Sequence, residues 1–152
     1  GIEWGTLILF GGGLAMGSMM YKTGLSQWVG DLIVSSMGGT PSQVGMVAIF
    51  SVMALLLSEL TSHTASTNMI GPLAITATVS AGISPIPVAV GIALSASLGF
   101  MLPISTPPNA IVYASGYIPM TKMIRTGVII DFVGIACITI PLVIYFVSWM
   151  VA

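Results

Sequence analysis

Residues 43–60, QVGMVAIFSVMALLLSEL, run for 18 positions with one charged side chain, Glu59, near the far end. As a helix such a run is about 27 Å long, close to the roughly 30 Å hydrocarbon core of a bilayer. Residues 4–21 and 128–150 read the same way. Soluble domains carry about a quarter charged residues, whereas this 152-residue chain has 5% charged and 56% hydrophobic side chains. That is too little charge to cover a water-facing surface, so the solvent this sequence suits is lipid. In lipid every backbone polar group needs an internal partner, which restricts a chain of long apolar runs to helices. The net charge of −1 points to no nucleic-acid partner, and the single cysteine, Cys137, forms no disulfide within the chain. The chain opens at Gly1 on a membrane-length segment without a basic n-region, which reads as a piece of a larger membrane protein rather than a signal peptide.

The apolar runs and their interruptions give five segments. Residues 1–22 are expected to form a transmembrane helix, with Gly11, Gly12, Gly13 and Gly17 allowing close helix approach. Residues 25–38 are too short to span. Leu25, Trp28, Val29, Leu32 and Ile33 fall on one helical stripe there, which suits a helix lying in the membrane interface. Residues 43–79 combine the long run 43–60, a polar cluster at 61–68 and an apolar run of only 11 residues, 69–79. Eleven helical residues cover about 16 Å, half a bilayer. A re-entrant hairpin is therefore expected, turning at the polar tip and returning as a half-length helix. Residues 86–118 read as a broken transmembrane helix, interrupted by PISTPPNA at 103–110, and PMTKMIRTG as a polar loop. Residues 126–151 make the last span, with Trp149 as an interface anchor.

The two polar interruptions carry the chemistry. In TSHTASTN, residues 61–68, seven of eight side chains can hydrogen-bond, and His63 is the sole histidine of the chain. Pro103, Pro107 and Pro108 have no N–H, so the carbonyls of Gly99, Pro103 and Ile104 lose their helical donors. Free carbonyls at membrane depth suit a cation, and a helix restarting near Asn109 presents free N–H groups that suit an anion. Two such breaks close together are the sequence mark of a transporter binding site. Plainer readings exist for each residue. Ser66, Thr67, Thr76 and Thr78 can satisfy their own backbone, Asn68 can cap the returning helix, and Glu59 can be a cation ligand or a structural carboxyl. Asp131 reads as a structural or helix-start charge, and an ionisable group within a membrane tip, such as His63, reads as functional.

At these breaks the sequence resembles the divalent anion/sodium symporters, the sodium-dependent di- and tricarboxylate and sulfate carriers. SELTSHTAS resembles their hairpin motif, LPISTPPNAIVYASGYI their broken helix, and WGTLILFGGGLAMG…TGL the helix before the second hairpin. The resemblance runs through nearly all of the chain. It implies an all-α integral membrane fold, with transmembrane helices, one re-entrant hairpin and one discontinuous helix. That is half of an inverted-repeat transporter, whose N-terminal part lies outside this sequence. Carried over by motif, Ser62, His63, Thr64, Thr106, Pro107 and Asn109 would bind substrate, and Ser58, Thr61, His63 and Ser105 would surround a sodium ion. The departure is His63, where the family has asparagine. Imidazole has no carbonyl oxygen to offer sodium, and a protonated His63 would instead supply the positive charge itself.

The resulting expectation is a secondary active transporter, not an enzyme, in the plasma (inner) membrane. It would carry a C4 or C5 dicarboxylate by alternating access, coupled to sodium or working as an anion exchanger (antiporter), and family resemblance implies a homodimer. Sulfate is the alternative substrate. An anion channel module would need a continuous polar stripe along several helices, and the sequence has none. One histidine with Glu59 nearby and no cysteine partner makes a poor constellation for metal or nucleophilic catalysis.

Overall fold

The computed structural model describes residues 4–36, 38 and 42–151. The expectations that touch residues 1–3, 37, 39–41 and 152 lie outside the described residues. The described chain is helical, with no strand among those residues: α1 Trp4–Lys22, α2 Leu25–Ser36, α3 Gln43–Leu60, α4 His63–Ser80, α5 Pro85–Ala96, α6 Pro107–Ala114, α7 Met120–Gly134 and α8 Ile140–Val151. A π-helical turn, Ile135–Thr139, joins α7 to α8 without a break. There the Ile140 N–H bonds the Ile135 carbonyl, five residues back. Pro141 follows directly, and the wider turn sits where a proline removes an α-helical donor. Among the described residues α3 is the one helix both long and apolar enough to cross a membrane on its own.

The core lies between α3, α4 and α5. Met46, Val47, Phe50 and Ala54 of α3 meet Ile70, Ala74 and Ala77 of α4 and Val88, Ile92 and Ala96 of α5, all buried. Alanines, with buried Gly91, Ser51, Ser58, Ser66 and Ser95, dominate the contact faces. Small side chains let helix backbones approach closely, which is how helices associate in lipid, where burial of apolar surface drives little. On its outer side α4 packs against α1 and α2, while the π turn and α8 pack on α3 and α5. The α2 stripe divides. Ile33 is buried against the core and Val29 packs on it, whereas Leu25, Trp28 and Leu32 stay exposed and apolar.

Three boundaries differ from expectation. The return arm of the hairpin is not half-length: α4 starts at His63 and has 18 residues, as many as α3. The polar cluster forms its first turns because its hydroxyls satisfy the backbone locally. Ser62 is the N-cap, accepting the Ala65 N–H at 3.2 Å, and Thr67 donates to the His63 carbonyl at 2.9 Å. Asn68 therefore lies inside the helix and is no cap. The break in the discontinuous helix falls at 97–106, earlier than 103–110, with α6 restarting at Pro107. Prolines fit the first helical positions, where an N–H has no partner in any case. The stretch read as a polar loop becomes the first turns of α7, which begins at Met120 behind Pro119.

α3 and α4 pack together as a helical hairpin with the Thr61–Ser62 turn at one end; at the other, Gln43 Nε2 at the start of α3 donates at 2.9 Å to the carbonyl of Ser84, in the connection that follows α4.

Candidate functional site

The turn between α3 and α4 is two residues long and closes on itself. Thr61 caps α3, its backbone N–H and its Oγ1 both donating to the Leu57 carbonyl, at 3.0 and 2.8 Å. Ser66 Oγ reaches across the hairpin to the Ala54 carbonyl at 2.7 Å. Thr76 donates to the Pro72 carbonyl at 2.8 Å and Thr78 to the Ala74 carbonyl. Thr67, Thr76 and Thr78 thus bond their own helix backbone, the plainer of their two readings, whereas Ser66 bonds α3 instead. Thr64 is exposed, and its side chain makes no hydrogen bond among the described residues.

His63 is held at one nitrogen. Ser58 Oγ, fully buried, lies 2.6 Å from both His63 Nδ1 and the Ala96 carbonyl. The carbonyl only accepts, so the hydroxyl proton goes to it and the imidazole donates from Nδ1. The neutral Nδ1–H tautomer and the imidazolium both satisfy that bond. Nε2 makes no hydrogen bond among the described residues and is available to a ligand.

The ten-residue break between α5 and α6 is held from outside itself. Glu59, next to last in α3 and 2% exposed, accepts the Met101 N–H at Oε1 (3.1 Å) and the Leu102 N–H at Oε2 (3.0 Å). Ser105 Oγ lies 2.9 Å from Glu59 Oε2 and 3.1 Å from the Glu59 carbonyl. The preceding N–H, that of Phe100, goes to Asp131 Oδ1 of α7 at 3.3 Å. From the other side Asn109 Nδ2 donates to the Gly99 carbonyl at 3.3 Å and to the Leu102 carbonyl at 3.1 Å. The carbonyl that Pro103 leaves without a helical donor is therefore bonded by the asparagine amide. Thr106 caps α6, accepting the Asn109 N–H at 3.3 Å.

The two breaks meet at Gly99. A Cβ there would stand 3.0 Å from Ser58 Oγ, 3.1 Å from His63 Cε1 and 3.5 Å from Glu59 Oε1, tighter than ordinary contact for the first two. His63 is the first residue of α4 and Asn109 the third of α6. Two helix N-termini, each the positive end of its helix dipole, are thus brought within side-chain reach of one glycine. Gly127 of α7 makes a second close approach, since a Cβ there would lie 2.5 Å from Met101 Cα.

Of the residues expected at the site, Ser58, His63, Ser105 and Asn109 are joined through Gly99 and Glu59. Ser62 and Thr106 act as helix caps, Thr61 bonds its own helix, and Thr64 and Pro107 stand exposed at the two restarts. Sequence reasoning missed the grip of Glu59 and Asp131 on the break, and both glycines. It also missed a cleft of about 450 Å³ beside Asn109, lined by Phe100, Lys122, Thr126 and Ile130 among others. Pro-Pro and the rarity of carboxylates were the available signals, but neither names a partner.

A family model described as the sodium:sulfate symporter transmembrane region matches residues 2–152. The sodium-dependent dicarboxylate transporter SdcS of Staphylococcus saprophyticus is 38% identical over 145 residues, covering 95% of this chain and 27% of that protein. The transporter of the same name from Staphylococcus aureus strain USA300 is 38% identical over 146 residues, covering 96% of this chain and 27% of that protein. This chain therefore spans about a quarter of the length of the curated relatives it matches, and the matched part is their C-terminal part.

Proposed function

The chain belongs to the sodium:sulfate symporter family of integral membrane transporters, and we propose that it supplies half of the substrate site of a longer secondary carrier for C4 or C5 dicarboxylates. The observation that carries this reading is the meeting of the α4 and α6 N-termini at Gly99. The positive ends of two helix dipoles meet at one point there, an arrangement that favours carboxylate oxygens without fixed positive charge. Dicarboxylates are favoured over sulfate because relatives at 38% identity are named dicarboxylate transporters. Sulfate is the second reading, favoured by the description of the family model.

In this reading His63 Nε2, Thr64 and the α6 N-terminus around Thr106, Pro107 and Asn109 face the anion, with Ser62 shaping the tip. The oxygens of Ser58, Thr61 and Ser105 are the candidate sodium ligands, and Ser58 and Ser105 keep lone pairs beyond the bonds described. The α3–α4 hairpin is re-entrant, with both arms opening on one side, and moves by alternating access within a plasma-membrane homodimer. The missing part of the carrier completes the anion site.

His63 divides the coupling mechanisms. If its imidazolium takes the place of a cation, transport is exchange; if it stays neutral, donating only its Nδ1–H to Ser58, transport is sodium symport. The test is uptake of labelled succinate, and separately sulfate, by the full-length carrier in proteoliposomes, with and without external sodium and internal dicarboxylate. Saturable succinate uptake supports the reading, and uptake of sulfate alone replaces it with the second. His63→Asn restores an amide oxygen; a sodium requirement appearing only in that variant assigns exchange to the unmutated protein.

A further inference from the structure

The cleft of about 450 Å³ beside Asn109 is walled by Phe100, Met123 and Ile130 and carries Lys122 and Thr126. It shares Asn109 with the candidate anion site, but neither His63 nor Thr64 lines it. Lys122 is the one charged side chain among its described walls, and it makes no ion pair among the described residues. Two of the chain's three Lys and Arg residues, Lys122 and Arg125, stand in the first two turns of α7, both exposed. α7, the π turn and α8 form one continuous helix from Met120 to Val151. At 1.5 Å per residue that is about 48 Å, longer than the hydrocarbon core alone, so the first turns of α7 reach the head-group layer. From Lys122 to Ile130 the cleft follows α7 for about 12 Å, from that layer into hydrocarbon depth.

The hydrogen bonds restrict what the cleft can hold. Asn109 Nδ2 already donates to the Gly99 and Leu102 carbonyls, and Thr126 Oγ1 to the Lys122 carbonyl at 2.9 Å. Neither side chain has a hydrogen left for a ligand. The ammonium of Lys122 and the phenol of Tyr117 have, and both residues stand at the end of the cleft where α7 begins. The deeper walls, Phe100, Met123, Gly127 and Ile130, are apolar. A small dianion taken inside would lose the hydration of its second charge with no donor to replace the water. A molecule with one anionic end and a long apolar body meets matching groups along its whole length, and the surrounding bilayer supplies such molecules.

We infer that the cleft is a site for an anionic phospholipid of the bilayer, its head-group phosphate on Lys122 beside Tyr117 and one acyl chain lying along α7 against Met123, Phe100 and Ile130. The chain then touches Phe100, inside the break, and Asn109, which bonds two of the break's carbonyls. Lipid binding thus steadies the break from the membrane side. This inference goes beyond the transport reading and is independent of which anion is carried.

The test uses the full-length carrier, reconstituted in vesicles of phosphatidylcholine and phosphatidylglycerol in equal parts and extracted again in detergent, with the retained lipid identified by mass spectrometry. Phosphatidylglycerol is expected to be enriched over phosphatidylcholine. Lys122→Gln should reduce that enrichment about fivefold, the contribution of one basic side chain at an anionic surface, and Lys122→Arg should keep it. Thr126→Phe, which fills the cleft and leaves the charge in place, should abolish it. Added phosphatidylglycerol should raise the unfolding temperature of the unmutated carrier and not that of Thr126→Phe. Arg125 does not line the cleft, so Arg125→Gln should cost less enrichment than Lys122→Gln. Equal losses from those two variants would reduce the effect to diffuse attraction and overturn the site. Equal retention of the two lipids would overturn it as well. So would enrichment that survives Thr126→Phe, which would mean that the rest of the carrier covers the cleft, or displacement of the lipid by succinate, which would give the cleft to the substrate.

Discussion

The two breaks in the helices solve one problem in opposite ways. Between α3 and α4 the chain turns in two residues, and the groups that close it come from its own neighbours: Ser62 and Thr61 as caps, Thr67 one turn on. Between α5 and α6 ten residues leave helical geometry, and what holds them is distant in sequence. Glu59 precedes Met101 by 42 positions, and Asp131 follows Phe100 by 31. A short break can be satisfied locally because each cap serves one orphan group. A long one frees more N–H and C=O groups than adjacent side chains can reach, so it borrows partners from other helices. The first break is then robust to single changes, and the second transmits them.

The sharpest test of that contrast is Glu59→Gln. It removes an acceptor from a buried site that serves Met101, Leu102 and Ser105, and an unsatisfied partner of a buried charged group costs more than the 1–3 kcal/mol of a neutral one. A loss of about 3 kcal/mol or more in unfolding free energy of the full-length carrier is expected, measured by denaturation in detergent. A change under about 1 kcal/mol would break the comparison.

Next in size is Gly127→Ala. Its Cβ would lie 2.5 Å from Met101 Cα and 2.6 Å from Met101 N, backbone atoms that cannot rotate away. Overpacking of this kind costs about 1–3 kcal/mol, and here α7 is forced off the break. Gly99→Ala meets only the ends of Ser58 and His63, so it should depress succinate affinity more than stability. Comparing thermal unfolding with binding in the two variants separates them.

Asn109→Ala should be felt in both. Its amide bonds the carbonyls of Gly99 and Leu102, and about 1–2 kcal/mol of stability is expected to be lost, with weaker substrate binding. Thr64→Ala, by contrast, has no side-chain hydrogen bond among the described residues to lose. It should leave unfolding unchanged and weaken binding alone. Matching effects from the two would mean that Thr64 has a structural role.

The smallest effect belongs to the local break. Ser62→Ala removes one N-cap, worth about 1 kcal/mol, and should leave the rest of the turn in place. A far larger loss in unfolding free energy would show that the short turn, too, depends on distant partners.

Much of this was legible in the sequence. The length of the apolar runs gave helices and lipid, since a span is set by the hydrocarbon thickness and the rise per residue. The prolines that begin α6 followed from backbone geometry alone, whereas α5 ends at Ala96, well before Pro103. The start of α4 was misplaced because seven polar side chains in lipid resemble a loop. Hydroxyls that fold back on nearby carbonyls or on Ala54 make the same residues compatible with a helix, and only the chain's path shows which occurs. Glu59, His63 and Asn109 could each be singled out, but not the glycine where they meet. Gly99 looks like any other of the chain's 18 glycines until α3, α4 and α6 crowd it. Pattern along a sequence reports forces that act within a few residues: propensity, period, missing donors. The bonds from Glu59 to Met101 and from Asp131 to Phe100 depend on how whole helices pack, and a buried charge finds its partners only after that packing has brought them within about 3 Å.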